Sequence, residues 1–548
     1  LEHSSRGKKR FSTYVKYVSN LFFLSTSKII HLCFAEQLIY SIIGGLVMLK
    51  LFKKWIIRYP NKTTRLLEII PGLFSWNMIL FPIWGSFLVP EAVAVYVITF
   101  TVYWLWRSLV MALGAVLAHF KIKKASQFDW MEDLKTNFGA KYKKVHHAII
   151  IPTYQEPLST LERTLNSLTK QTFPLENLHL ILAFEEREGK EAWEKAKELT
   201  RQFKGKFGSL SASFHPDIAG EVKGKSSNTS WGGKQLKREL VDEQGLDINN
   251  ITVTCEDADV LLHKSYFAYL TYSFLTIDNP YNHSWQGGIV FYNNVWQVPA
   301  PIRVVGVIAS INQMYILTRR DRLINFSTYS TTLKHVDEIG YWDTDVIPED
   351  YHMFFKSYFA KEGKFAVEPI FLPIYADMPE SKKKLATFKN QYEQLKRWAW
   401  GVSDDVYLVR KFFIHDEIPF WQKFIRVIKV LEDHLLWPVN WFAVTVSALL
   451  PPLLNSEFNK TTLGKTLPQV SSTLLTIALM SMIIIFIIDA LNRPKRPENS
   501  SFLSYLLQPF EFLLAPIVGF FYSALPGIDA HTRLMMGKKL EYKVTEKV

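Results

Sequence analysis

The sequence predicts an α/β domain built on a mainly parallel sheet and inserted between transmembrane helix hairpins. Three observations carry this. Long apolar segments with basic flanks stand on both sides of a polar stretch from Lys121 to Lys429. Within that stretch, strand-like runs at Ala148–Ile151, Leu178–Phe184 and Ile251–Thr254 alternate with helical patterns such as Leu158–Leu168, the order of a parallel α/β sheet. At 548 residues the chain is too long for one ordinary domain.

Phe34–Phe52 reads either as an interfacial helix or as a further span. Gly72–Val89 and Ala92–Phe120 are each near the ~20 residues that cross a bilayer. Lys53, Lys54, Arg58, Lys62 and Arg65 precede the first, and Lys121, Lys123 and Lys124 follow the second. The positive-inside rule makes them a hairpin with both flanks cytoplasmic. Leu435–Leu454 and Ser471–Leu491 form a second expected hairpin, closed by Arg493, Lys495 and Arg496. Leu503–Leu525 is apolar but holds Pro509, Glu511 and Pro516, so it reads as re-entrant or interfacial, with a fifth crossing as the rival. The expected divisions are a basic or interfacial region (1–68), a hairpin (69–120), a cytoplasmic domain (121–429), a second hairpin (430–492) and a C-terminal segment (493–548).

The formal charge is +13 and 14% of residues are aromatic. Basic charge fits nucleic acid or a membrane surface, and the long apolar segments favour the membrane lipids, with no nucleic acid partner. Cys33 and Cys255 are too few for a disulfide framework or a cysteine zinc site. His146, His147 and His215 show no metal-ligand spacing. Arg107 lies inside an apolar segment, where it marks a polar pathway or snorkels toward a headgroup. The chain opens on Leu1, so no targeting signal is read from its start.

Candidate chemistry gathers after strand-like runs, where open α/β sheets bind ligands. Ala148–Pro152 leads into Thr153-Tyr154-Gln155-Glu156, which also reads as an ordinary connecting loop. Leu178–Phe184 leads into Glu185-Glu186, equally a solvated acidic loop. Gly224-Lys225-Ser226-Ser227-Asn228 offers small residues for close backbone approach and a lysine that can neutralise phosphate. Asp257 and Asp259, one residue apart at a strand end, can share a divalent cation with a diphosphate. Trp285-Gln286 and Phe291-Tyr292-Asn293-Asn294 combine aromatic faces with amides, suited to sugars or to a core. Pro348-Glu349-Asp350 follows Tyr341-Trp342-Asp343 and also fits the acidic first turn of a helix. Gln394, Arg397 and Trp398 fall within about one helical turn, suited to phosphate and sugar contacts or to a membrane-surface helix.

The order of an acidic pair, a second acidic pair and then Gln394-Leu395-Lys396-Arg397-Trp398 resembles the membrane-bound family-2 glycosyltransferases, which include cellulose, chitin and hyaluronan synthases. The resemblance runs from about Val145 to the C-terminus. It implies a GT-A-like nucleotide-sugar-binding domain, with Thr153, Glu156, Glu185, Glu186, Lys225, Asn228 and Asp257 toward the donor. The family usually has aspartates where this chain has Glu185 and Glu186. It implies Mg²⁺ or Mn²⁺ on Asp257 and Asp259, and Asp350 as general base in a T-E-D motif whose Thr is Pro348. Gln286, Tyr292, Glu349, Gln394, Arg397 and Trp398 fall toward the acceptor. Tyr542, Val544, Thr545 and Lys547 resemble a gating loop, F-x-V-T-x-K with Tyr for Phe, although a frayed basic tail reads as well.

The same resemblance implies an inverting transfer from a UDP- or GDP-sugar to a growing polysaccharide, by a multi-pass, plasma-membrane protein with its catalytic domain in the cytoplasm. Single transfer to a lipid-linked acceptor is the alternative, and a catalytically silent membrane scaffold of a glycan assembly system is the second.

Overall fold

The computed structural model describes residues 49–498 and 508–540, in two compact units, 1–65 and 66–548. In the first, residues 49–58 are helical, and the charged ends of Arg58 and Lys62 lie 5.4 and 5.5 Å from the Tyr59 ring centroid.

The second unit contains an eight-stranded sheet in the order β3-β2-β1-β4-β7-β6-β8-β5. Its first half is as the sequence suggests. β1 (His146–Thr153), β2 (Leu178–Glu185), β3 (Ser209–His215) and β4 (Ile251–Cys255) are all parallel. β1, β2 and β4 are buried nearly throughout, as continuous apolar runs covered on both faces should be.

The second half adds antiparallel strands, so the sheet is mainly parallel but mixed. β6 (His283–Val290) and β8 (Ala366–Tyr375) pair in parallel, whereas β7 (Tyr329–Thr332) runs antiparallel to β4 and β6, and β5 (Leu261–Leu262) antiparallel to β8. The cause lies in one connection. After β6, the helix Ala300–Ile316 is followed by a return to the same end of the sheet, so Tyr329 opens β7 opposite Cys255, the last residue of β4. That return delivers Ser327 and Thr328 to the strand ends where Asp257 lies.

Among the described residues, four helical segments are long and apolar enough to cross a membrane: Pro60–Leu88, Pro90–Gln127, Thr462–Asn492 and Gln508–Met535. Trp106, Leu113, Leu117 and Phe120 of the second face outward. The first and second cover the first expected hairpin, and the third covers Ser471–Leu491. Leu435–Leu454 is corrected: it is no continuous helix. The helix Phe420–Leu436 stops before Pro438, and short turns at Asn440–Thr445 and Leu450–Leu454 follow, the latter containing Pro451 and Pro452, which interrupt the helical hydrogen-bond ladder. The described part of Leu503–Leu525 lies inside Gln508–Met535, where Pro509 and Pro516 sit in 3₁₀ and short α-helical turns rather than ending the run.

Arg107 is not a bare charge. It pairs with Asp433 at 2.9 Å and Glu432 at 3.6 Å, both also paired with Arg322.

Pro90–Gln127 packs on the sheet domain through Ala115, Ala118 and Ile122, which share a core with Val290, Ile311 and Met314. Gly114 makes this approach possible, since a Cβ there would collide with the Tyr315 ring and come within 3.1 Å of Thr318 Oγ1. Gly114→Ala should therefore separate the two helices, at a cost of about 1–3 kcal/mol, read as a lower thermal midpoint of the purified protein; an unchanged midpoint would show the interface can yield.

Candidate active site

Each carboxyl end of the central strands contributes one part of the site. Lys225 opens the helix Lys225–Lys237 and is almost fully buried. Its ammonium lies 2.6 Å from Asp257 Oδ1 and 2.8 Å from Glu349 Oε1, and donates to the Ser327 carbonyl at 2.7 Å. Burial alone would depress the lysine pKa, but Asp257 and Glu349 outweigh it and hold the ammonium well above its ordinary range. Burial, reinforced by Asp350 and opposed by Lys225, pushes Glu349 up to about 7.

Ser327 completes the knot. Its N–H donates to Asp350 Oδ2 at 2.8 Å and its hydroxyl donates to Asp257 Oδ2. It does this with a left-handed backbone, φ +47°, sparsely populated for a residue with a Cβ. Asp350 Oδ1 also accepts its neighbour's N–H, Tyr351, at 2.9 Å, in the first turn of the helix Glu349–Ala360. Glu349 and Asp350 thus form an acidic helix start, and Asp350 meets the loop that carries Ser327.

Asp259 sits on the other branch of the turn. Its Oδ2 accepts the Asp377 N–H at 3.1 Å, and its carbonyl accepts from Arg163 and Asn293 at 3.4 and 3.3 Å. Arg163 is itself paired with Asp377 at 2.5 Å. Between the two aspartates' strand and the core, Glu256 is fully buried, neither carboxyl oxygen has a hydrogen-bond partner, and burial raises its pKa well above the carboxylate range. Among the described residues no three His, Cys, Asp or Glu side chains converge as a cation cage. Asp257 and Asp259 nonetheless present hard oxygen donors, the set expected of a cation that takes most of its ligands from phosphate and water.

The residues expected toward the donor divide into two groups. Thr153 is buried with an unpartnered Oγ1, and the Glu156 carbonyl accepts from Lys195 at 2.8 Å. Asn228 spends its amide nitrogen on the Ala183 carbonyl at 2.6 Å, with its Oδ1 buried and unpartnered. Farther along the edge, Glu185 is buried against Arg187 at 2.6 Å, whose guanidinium stacks 3.8 Å from the Tyr154 ring centroid, while Glu186 is exposed. Glu185 and Arg187 line a small cavity with His215, Asp217, Glu221 and Ser227.

The residues expected toward the acceptor are not all at a surface. The Gln286 amide is fully buried, donating to the Gly287 and Thr328 carbonyls at 3.0 and 3.1 Å and accepting from the Phe326 N–H at 2.8 Å. It clamps the loop that carries Ser327. Tyr292 is buried and donates to Asp489 at 3.0 Å. Gln394 is buried and accepts from Gln391 at 3.1 Å. Arg397 is half-buried, and Trp398 is exposed, 5.9 Å from the Phe291 ring. Tyr542, Val544, Thr545 and Lys547 lie outside the described residues.

Sequence reasoning missed Ser327, Arg163, Asp377 and His352. No periodicity marks a serine with positive φ, and the Arg163–Asp377 pair joins positions 214 apart. His352 is buried between Asp404 and Asp343, with Nδ1 2.7 Å from the first and Nε2 2.9 Å from the second. It fixes the Glu349–Ala360 helix to the turn that follows Trp398.

Residues 252–488 match the family model described as Glycosyl transferase family group 2. Residues 252–488 are thus similar to glycosyltransferases of that group, and the chain is a glycosyltransferase. Among solved structures it is similar to the mannosyltransferase PcManGT of Pyrobaculum calidifontis, in complex with GDP-Man and Mn²⁺, at 12% identity and TM-score 0.38 over 82% of this chain and 100% of that one. It is also similar to residues 1–349 of S. aureus TarS in complex with UDP, at 13% identity and TM-score 0.33 over 73% and 94%. No curated protein matches.

Burial opposes charging His352, but Asp404 and Asp343 outweigh it and raise its pKa from 6.5 to about 9. A histidine raised on folding stabilises fully below its unfolded pKa and loses that contribution as pH climbs through the folded value. The protein should therefore lose stability between about pH 6.5 and 9. His352→Gln should cost roughly 3 kcal/mol at neutral pH and flatten that window in thermal melts. A wild-type melt that does not change across the window would remove the charged-histidine clamp.

Proposed function

We propose that this glycosyltransferase moves a sugar from a nucleotide-sugar donor, UDP- or GDP-linked, to a growing polysaccharide, with inversion in one displacement. The observation that carries the reading is the convergence of Lys225, Asp257, Glu349 and Asp350 around Ser327 at the strand ends. Asp257 and Asp259 would hold Mg²⁺ or Mn²⁺, which when bound supplies charge neutralisation for the departing diphosphate. Lys225, already gathered against Asp257, stays available to the phosphates as a compact cation.

Asp350 takes the proton of the attacking acceptor hydroxyl. Its two oxygens are oriented by the Ser327 and Tyr351 N–H groups, which hold the side chain in place. Glu349 beside it, raised by burial, keeps a second negative charge from accumulating when Lys225 turns to phosphate. Thr153 and Asn228, whose side-chain oxygens are buried and unpartnered, would serve the donor, and Glu185 with Arg187 and Tyr154 would serve the nucleoside. Trp398 with Phe291 provides an exposed aromatic platform for an acceptor sugar, and Arg397 would contact the acceptor beside it.

The domain divisions at 121–429 and around it, with the catalytic part cytoplasmic and the protein multi-pass in the plasma membrane, agree with helices that expose apolar side chains outward and with their basic flanks. Single transfer to a lipid-linked acceptor is the second reading. It is favoured by the four candidate spans among the described residues, few for housing an emerging chain.

Asp350→Asn keeps shape but cannot accept the proton. It should lower kcat by at least ~10²-fold with donor KM kept; collapse of donor binding with turnover preserved would make Asp350 a nucleotide ligand instead. The product of the unmutated enzyme under excess donor decides the acceptor. A ladder growing by one sugar supports the polysaccharide reading, and a single sugar on lipid ends it.

A further inference from the structure

Away from the strand ends, three guanidinium groups gather on one indole. Trp296 lies on the loop between β6 and the helix Ala300–Ile316, and Arg496, Arg493 and Arg303 stand 4.7, 5.0 and 5.5 Å from its ring centroid. The indole N–H donates to the Pro494 carbonyl at 3.1 Å, which fixes the ring against the turn after Asn492.

The nearby carboxylates leave Arg493 incompletely satisfied. Asp489 pairs with Arg493 but also accepts from Tyr292, and Glu511 pairs with Arg303 at 3.1 Å. The Arg493 side chain is 3% exposed and that of Arg303 9%, and Arg493 Nη1 is buried with no hydrogen-bond partner. A buried guanidinium with an unfilled donor, crowded by like charges, is costly unless an anion completes it. Burial, with Arg493 and Arg496, holds Arg303 below its ordinary range despite Glu511.

The place narrows the anion. The cluster begins one residue beyond Thr462–Asn492, the most apolar of the candidate spans, and tryptophan with arginine at such an end sits at headgroup level. Guanidinium forks match phosphate oxygens in pairs. We propose that Trp296, Arg303, Arg493 and Arg496 form a binding site for a phosphate group, carried by an anionic lipid headgroup. The same loop bears Phe291 against Trp398 and Asn293 on the Asp259 carbonyl, so an occupied site braces the sugar-facing segment from the membrane side.

The test uses the full-length purified protein in nanodiscs of phosphatidylcholine, alone or with phosphatidic acid, read by thermal midpoint. Phosphatidic acid should raise the midpoint by several degrees. Arg496→Gln should lose most of that gain while melting like the wild type in pure phosphatidylcholine. Arg303→Lys, which keeps the charge but loses the fork, should weaken the apparent affinity about tenfold, and it decides the matter if Arg496→Gln does not accumulate. Inorganic pyrophosphate in detergent separates the sources. An equal gain there, also lost in Arg496→Gln, supports a phosphate site filled from solution, whereas a gain confined to lipid supports the headgroup. No gain with either probe, or gains equal in wild type and both variants, would overturn the site.

Discussion

A single buried ammonium organises the cluster at the strand ends. Lys225 meets two carboxylates from different segments, Asp257 after β4 and Glu349 at a helix start, and a backbone carbonyl from a third. Removing the lysine would leave Asp257 and Glu349 facing each other without a counter-charge in a low-dielectric setting, which is more damaging than the pairing is favourable. Three connections that are far apart in sequence are thus held to one geometry by mutual neutralisation. The antiparallel entry of β7 is what makes the third contact available, so the departure from a parallel sheet belongs to the site as much as to the fold.

The parts of this arrangement legible in the sequence are those that a local pattern encodes. Continuous apolar runs marked β1, β2 and β4, and acids immediately after such runs marked Asp257 and Asp259. The helix Leu158–Leu168 has the bounds its periodicity indicates. Legibility ended where burial depends on remote partners. Gln286 and Tyr292 look like sugar-binding residues in composition, yet one amide is consumed by the Phe326–Thr328 loop and one hydroxyl by Asp489, 197 positions away. Leu435–Leu454 passed a hydropathy reading because the prolines that divide it are themselves apolar. Ser327 carries no sequence mark, since its importance lies in a backbone angle.

The sheet domain and its long apolar helices meet through close contact rather than a linker. The Gly114–Tyr315 approach joins Pro90–Gln127 to the helix after β6, and Tyr292 with Asp489 joins the loop before that helix to Thr462–Asn492. Arg107 with Glu432, Asp433 and Arg322 adds an ionic tie between the same layers. The loop Phe291–Trp296 is therefore braced on both sides, by membrane-like helices behind it and by the Asp259 turn in front.

The left-handed Ser327 has a consequence for how this protein can drift in sequence. Glycine there would relax the angle but forfeit the hydroxyl on Asp257, and alanine would forfeit it while keeping a strain of order 1 kcal/mol or more. Threonine would keep the hydroxyl and sharpen the strain, because a branched Cβ is least tolerant of positive φ. Aspartate accepts the angle but brings another negative charge against Asp257 and Asp350. Few side chains satisfy the backbone and the carboxylates at once, so substitutions at 327 are confined to a narrow corridor. Any lineage that leaves it must rebuild the Phe326–Thr328 turn and the acid pair together.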